Sequence, residues 1–274
     1  MKPESLRRLL TAVAEGRTSP AEAEERLASL PFEDLGFARL DHHRMIRRGF
    51  PEAIYGEGKE ASEIAAILKA FRAQDVPALV TRLDAPKAAA VKRRCPRLTY
   101  HAKARLAYLG DLPGEGEGLV VVVSGGTSDA PVAEEAVWTA RYLGARVEYF
   151  PDAGVAGLHR IAPVLPRLRE ARAVIAVAGM EGALASVVAG LAGALVIGVP
   201  TSVGFGVQDH GRTPLFAMLA SCVPGLVVVN VDAGFSAGYA AAVVNKMKEK
   251  DTPPQRPQGS RRKIPIGGFR ALRD

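Results

Sequence analysis

Cysteine is scarce. Cys95 and Cys222 are the two thiols in 274 residues, far apart in sequence, so no disulfide framework is expected and a reducing compartment fits. No secretory apolar stretch follows Met1, so the expected location is cytoplasmic. Aromatic residues make up 6% of the chain and do not interleave with basic clusters, which argues against a nucleic-acid partner. A mostly apolar stretch at 182–199 touches membrane-spanning length. However, Gly190, Gly193 and Gly198 interrupt it, and it divides into a small-residue helix (183–191) and a buried strand (194–199), so no membrane partner is expected. HxxxH and CxxC spacings are missing, so no dedicated metal site is written in the chain. Walker A and GxGxxG loops are missing too.

What is present is 48% hydrophobic content, enough for two cores. The 36 basic and 29 acidic residues leave a net charge of +7. Residues 119–250 hold ten of each sign, while 251–274 hold six basic and two acidic residues. The excess therefore lies partly in a tail, 250–274, that reads as a solvated, disordered segment. Residues 1–110 read as an accessory α+β domain with helices at 6–14 and from the capping box Ser19-Pro20-Ala21-Glu22. A strand at 35–41, a basic cluster (Arg44, Arg47, Arg48) and a loop with Lys59 follow. Further on come a helix at 60–72, a strand at 77–83, a helix at 86–94 and a hairpin at 97–108. The Gly/Pro/acidic run 111–118 is a linker.

Residues 119–249 alternate strand and helix and predict an α/β fold, a flavodoxin-like doubly wound parallel sheet. The organising stretch is 119–136, LVVVVSGGTSDAPVAEEA. Its aliphatic run has no polar alternation, as in a strand buried on both faces. Ser124, Gly125, Gly126, Thr127, Ser128 and Asp129 then form a phosphate-sized turn, with Asp129 as N-cap of a helix whose amino end suits an anion. Later strands are expected at 146–150, 173–178, 194–199 and 226–231, and helices at 158–169, 182–191, 213–221 and 237–248. Ligands in such sheets sit beyond the carboxyl ends of the strands. The loops at those ends, SGGTSD, DAGVAGLHR, AGMEGA, VPTSVGFG and NVDAGFSAG, are all glycine-rich.

Three side chains carry candidate chemistry. An imidazole at the position of His159 can move protons, although a helix-capping or exposed role is as plain a reading. Glu181, in an otherwise apolar loop, would act as acid or base with a raised pKa, or simply complement a helix dipole. Cys222 is the single thiol of this half, and most such thiols are inert unless recruited. His210 with Asp209, and Asp232 with Asp152, are weaker candidates for metal ligation.

The motifs SGGTSD, GVAGLHR and VIGVP resemble the PurE family of aminoimidazole ribonucleotide carboxylases. DAGVAGLHR, AGMEGALASVVAGL, PTSVGFG, Ser221-Cys222 and GFPEAIYGEGK resemble more closely the LarB family, pyridinium-3,5-biscarboxylic acid mononucleotide synthases of nickel-pincer cofactor biosynthesis. Ala220 and Ala233 stand where that family is expected to have asparagine. The resemblance implies carboxylation of nicotinic acid adenine dinucleotide at pyridine C5, with hydrolysis of its phosphoanhydride to AMP and carbon dioxide or bicarbonate as co-substrate. It also implies no tightly bound cofactor, with Mg2+ able to accompany the substrate phosphates, and a homo-oligomer, an octamer by likeness to PurE. Sulfur-transfer and nickel-insertion enzymes would act downstream. On this reading Cys222 adds to the ring, His159 or Glu181 is the base, and Ser124, Gly125, Gly126, Thr127, Ser128 and Asp129 hold phosphate and ribose. Gly157, Gly179, Met180, Gly182 and Ser202 complete the substrate site. Two alternatives remain at this stage: an aminoimidazole ribonucleotide carboxylase or mutase, and a non-catalytic nucleotide-binding module. Against the first, Met180-Glu181 replaces the histidine of that family's Ala-Ala-His loop.

Overall fold

Every side chain from Leu119 to Val123 is apolar because both faces of its strand are covered. The computed structural model describes residues 3–28, 32–42 and 44–247; the basic tail lies outside them. Strand β7 (Leu119–Ser124) is an interior strand, between β8 and β9, of a five-stranded parallel sheet with β8 (Arg146–Phe150), β9 (Ala173–Ala178), β10 (Leu195–Pro200) and β11 (Leu226–Val228). The order is β11-β10-β9-β7-β8, the flavodoxin-like winding. Side-chain parity sorts the two faces. Val121, Val123, Val174 and Ala176 pack on α7 (Leu165–Glu170) and α8 (Ala183–Leu191), whereas Val120, Val122, Ile175 and Val177 pack on α6 (Ala130–Tyr142) and α10 (Gly234–Lys246). The remaining helix, α9 (Arg212–Leu219), precedes β11. The apolar stretch at 182–199 is thus a helix and a strand, and no helix among the described residues is long and apolar enough to cross a membrane.

The N-terminal part contains α1 (Pro3–Ala14), α2 (Pro20–Ala28), β1 (Glu33–Asp34), β2 (Arg39–Leu40) and α3 (Arg44–Arg48). Then come β3 (Ala53–Tyr55), α4 (Ala61–Ala73), β4 (Ala78–Thr81), α5 (Ala85–Arg94), β5 (Leu98–His101) and β6 (Leu106–Leu109). Caps start the helices as the residue types demand. Ser19 Oγ accepts from the Glu22 amide at 3.1 Å and Asp84 from the Lys87 amide at 2.8 Å. The sheet β3-β4-β6-β5 buries one face under α4 and α5, around Ile64, Leu68, Phe71 and Val80. Cys95 lies in this core, where burial raises its thiol pKa. The other face, with Leu79, Leu106 and Tyr108, packs on Tyr142, Leu143 and Ala242 of the second unit. Trp138 stacks on His101 at 3.5 Å between ring centroids, and Lys103 pairs with Glu134 at 3.2 Å. Helices α6 and α10 are consequently covered by a sheet on either side.

Three expectations change. The strand expected at 35–41 is present only as Arg39–Leu40, which a turn at 35–38 pairs with the two-residue strand Glu33–Asp34. The helix expected at 158–169 is interrupted: Gly157 is non-helical, 3₁₀ turns span Val155–Arg160 and Ala162–Val164, and the α-helix starts at Leu165. Pro163 and Pro166 supply no N–H donors for a longer ladder. Strand β11 ends at Val228 rather than 231, since Asn230 folds its side-chain oxygen onto the Val231 amide at 2.8 Å and begins a turn.

Helix α10 meets α6 at backbone distance. A Cβ on Gly238 would lie 2.4 Å from the Ala136 carbonyl oxygen, which cannot move without its own helix. We expect Gly238→Val to destabilise the fold by about 3 kcal/mol through overpacking, measured as a shift in the denaturant midpoint. An unchanged midpoint would show that the contact is slack.

Candidate active site

The carboxyl ends of the parallel strands enclose a cavity of about 380 Å³. The first loop contributes Gly125, Gly126, Ser128 and Asp129; the loop after β8 contributes Gly154, Val155 and Ala156. Opposite them stand Gly179, Met180 and Glu181 after β9, with Ala183 and Leu184 of α8, and the 203–205 loop closes the rim. The walls are mostly apolar, with Ser128 and Asp129 on one side and Glu181 on the other, the composition of a small-molecule site.

Its floor is set by Asp129. The carboxylate is buried and accepts the Gly126 amide at 2.9 Å and the Thr201 hydroxyl at 2.7 Å, along with a bond from the Gly179 backbone. Asp129 therefore does not cap α6 with its side chain, contrary to the sequence expectation; it ties three loops together instead. Burial raises its pKa, against the pull of those donors. Gly179 is required by closeness, since a Cβ there would lie 2.2 Å from the Val203 carbonyl oxygen. Non-glycine residues occupy the left-handed region in the loops that follow four strands: Asp152 (φ 54°), Met180 (52°), Asp209 (46°), His210 (50°) and Asp232 (55°). Each conformation costs about 1–2 kcal/mol, and such strain gathers where function constrains backbone.

The structure brings together part of the expected set. Gly125, Gly126, Ser128, Asp129, Gly179, Met180 and Glu181 share the cavity, and Gly182 lies at its edge against Pro214. Ser124 does not offer its hydroxyl there: it is fully buried and bonded to the Tyr149 hydroxyl at 3.0 Å. Thr127, Gly157, His159 and Ser202 are outside the lining; Thr127, His159 and Ser202 are exposed, and the Ser202 amide donates to Asp232 Oδ1 at 2.8 Å. Glu181 is also exposed, so the apolar burial expected of it is absent. Cys222 is exposed and does not line this chain's cavity. Cys222 follows the end of α9, and neighbouring Ser221 bonds Ser186, one turn inside α8, at 2.8 Å. Asp209 pairs with Arg212 and Asp152 with Arg160. Among the described residues no three His, Cys, Asp or Glu side chains gather as a metal site.

Sequence reading placed both DAGVAGLHR and VPTSVGFG at the ligand edge but did not single out their apolar lining residues, 154–156 and 203–205, or Thr201. It also missed Arg82, from the N-terminal sheet, which pairs with buried Glu135 at 3.3 Å. Thr201 was reachable in principle, as the first residue after a buried strand.

Residues 32–111 match the family model described as LarB/PurE-like N-terminal domain, and residues 119–256 match the one described as AIR carboxylase. An uncharacterised protein of Methanocaldococcus jannaschii is 39% identical over 257 residues, covering 90% of this chain and 99% of its own. A solved structure of a Treponema denticola PurE2 variant is 22% identical with a TM-score of 0.37, over 46% of this chain and 78% of that one. The five-stranded sheet with its phosphate-sized first loop and the appended α+β unit thus agree with the sequence matches: the chain belongs to the AIR carboxylase family, in its LarB type.

Proposed function

We propose that this protein carboxylates the pyridinium ring of nicotinic acid adenine dinucleotide at C5 and hydrolyses the phosphoanhydride, releasing AMP and pyridinium-3,5-biscarboxylic acid mononucleotide. Family membership supports a carboxylase-type function related to AIR carboxylase. The observation that carries the finer reading is the cavity itself, where the Gly125-Gly126 turn, Ser128 and Asp129 face Met180 and Glu181. A phosphate at the glycine turn would leave the attached ring beside Glu181.

A cationic pyridinium does not attack carbon dioxide. Addition of the Cys222 thiolate to C4 converts the ring to a dihydropyridine whose C5 is an enamine carbon. C5 then forms its bond to the carbon of carbon dioxide, a base takes the C5 proton, and the C4–S electron pair returns to sulfur as aromaticity is restored. Glu181 is the base in this reading because it lines the cavity, whereas His159 does not. Water cleaves the phosphoanhydride. Because Cys222 stands exposed outside its own chain's cavity, we place it in the cavity of a second copy within a homo-oligomer. Exposed Phe205, Phe216 and Leu219, on the rim loop and on the helix leading to Cys222, supply an apolar surface for that contact.

Purified protein incubated with nicotinic acid adenine dinucleotide and bicarbonate is expected to release AMP and a dicarboxylated mononucleotide, read by liquid chromatography and mass spectrometry. Turnover of aminoimidazole ribonucleotide instead, or binding of the dinucleotide without turnover, would sink this reading.

A further inference from the structure

We propose that Arg82, in the N-terminal domain, is a positioning residue for the cavity, and that this domain serves to hold the phosphate turn in shape. The proposal rests on the reading of the cavity as the carboxylation site. Arg82 sits just after β4 in the left-handed region (φ 53°), which aims its side chain out of its own sheet toward the second unit. Its Nε pairs with Glu135 Oε1 at 3.3 Å, and its Nη2 donates to the Asp232 carbonyl oxygen. The fork of a guanidinium can serve both acceptors at once, which a lysine cannot.

Those two acceptors hold one turn. Glu135 Oε2 accepts the Phe235 amide at 3.2 Å, so Arg82 and Glu135 grip residues 232–235 from both ends. Asp232, itself left-handed, in turn holds the end of β10: its amide donates to the Pro200 carbonyl at 2.8 Å and its carboxylate accepts the Ser202 amide at 2.8 Å. Between those two anchors stands Thr201, whose hydroxyl donates to Asp129, the residue that closes the Gly126 turn. The contacts are continuous from the small sheet to the phosphate turn. None of the intermediate residues except Asp129 lines the cavity. Strained backbone at Arg82 and Asp232 persists only where surrounding bonds over-determine it, which is the condition this set of contacts meets.

Arg82→Met keeps the length of the side chain and removes both bonds. Hydrogen exchange at the Ser202 and Gly126 amides is expected to accelerate by about 5- to 30-fold, with a KM rise of similar size and kcat within about threefold of wild type. Arg82→Lys should not restore KM. The double variant R82M/E135Q leaves no unpaired buried carboxylate, so it reports the relay even if R82M alone unfolds. Lys103→Met, which cuts the exposed ion pair to Glu134 in the same inter-domain seam, should leave both amides as in wild type. Wild-type exchange at Gly126 and Ser202 in the folded double variant, or equal acceleration in K103M, would overturn the proposal. Exchange that responds to R82M in a protein that does not turn over the dinucleotide would instead remove the functional reading and leave the relay standing.

Discussion

Cys222→Ala is expected to lower turnover of nicotinic acid adenine dinucleotide by at least about a thousandfold, the order of loss when a covalent nucleophile is removed. Binding of the dinucleotide should stay within a few-fold of wild type, because in this reading the phosphate is held at the Gly125-Gly126 turn and not by the thiol. Position decides the diagnostic experiment. If sulfur is supplied across a subunit contact, then mixed assemblies of C222A with a chain defective in its own cavity recover activity, since some sites pair an intact cavity with an intact thiol. Recovery near the statistical fraction of such sites is the expected result. Full activity of C222A would eliminate the covalent step, and inactivity of every mixture would place thiol and cavity in one chain.

The second large effect concerns Asp129. Its carboxylate satisfies the Gly126 amide and the Thr201 hydroxyl, besides a Gly179 bond, in a buried setting. Asp129→Ala strands these donors, and each unsatisfied buried group costs about 1–3 kcal/mol. We expect a loss of about 3 kcal/mol in stability and at least about a hundredfold in kcat/KM. Asp129→Asn separates the roles. Its amide oxygen still accepts, but its NH2 faces one of the donors, so stability should fall by less than in D129A. Equal kcat/KM in D129N and wild type would show that the negative charge has no part in the reaction.

The sheet was legible because strand parity is local information. Alternate residues of 119–123 and 173–178 go to opposite faces, and apolar side chains at both parities can mean only cover on both sides. The first loop and the 179–181 loop were legible for a related reason, since a parallel sheet puts every strand's carboxyl end on one edge. What escaped was decided by partners distant in sequence. Ser124 looks like a phosphate ligand until Tyr149 is seen to take its hydroxyl. Asp129 looks like an N-cap until Thr201 and Gly126 claim it. Arg82 has no local motif: its meaning lies in Glu135 and Asp232, across the domain seam. Cys222 was read from a motif, and a motif carries no direction in space.

Helices α6 and α10 separate the two sheets, and this arrangement has a bearing on biosynthesis. The N-terminal sheet leaves the ribosome long before Ala242, the distal part of its lid. During that interval Leu79, Leu106 and Tyr108 face water as a bare greasy plate, open to stray association. The nascent chain therefore spends a long part of its synthesis with one layer of its architecture unsealed, and α10, the last helix among the described residues, completes the seal.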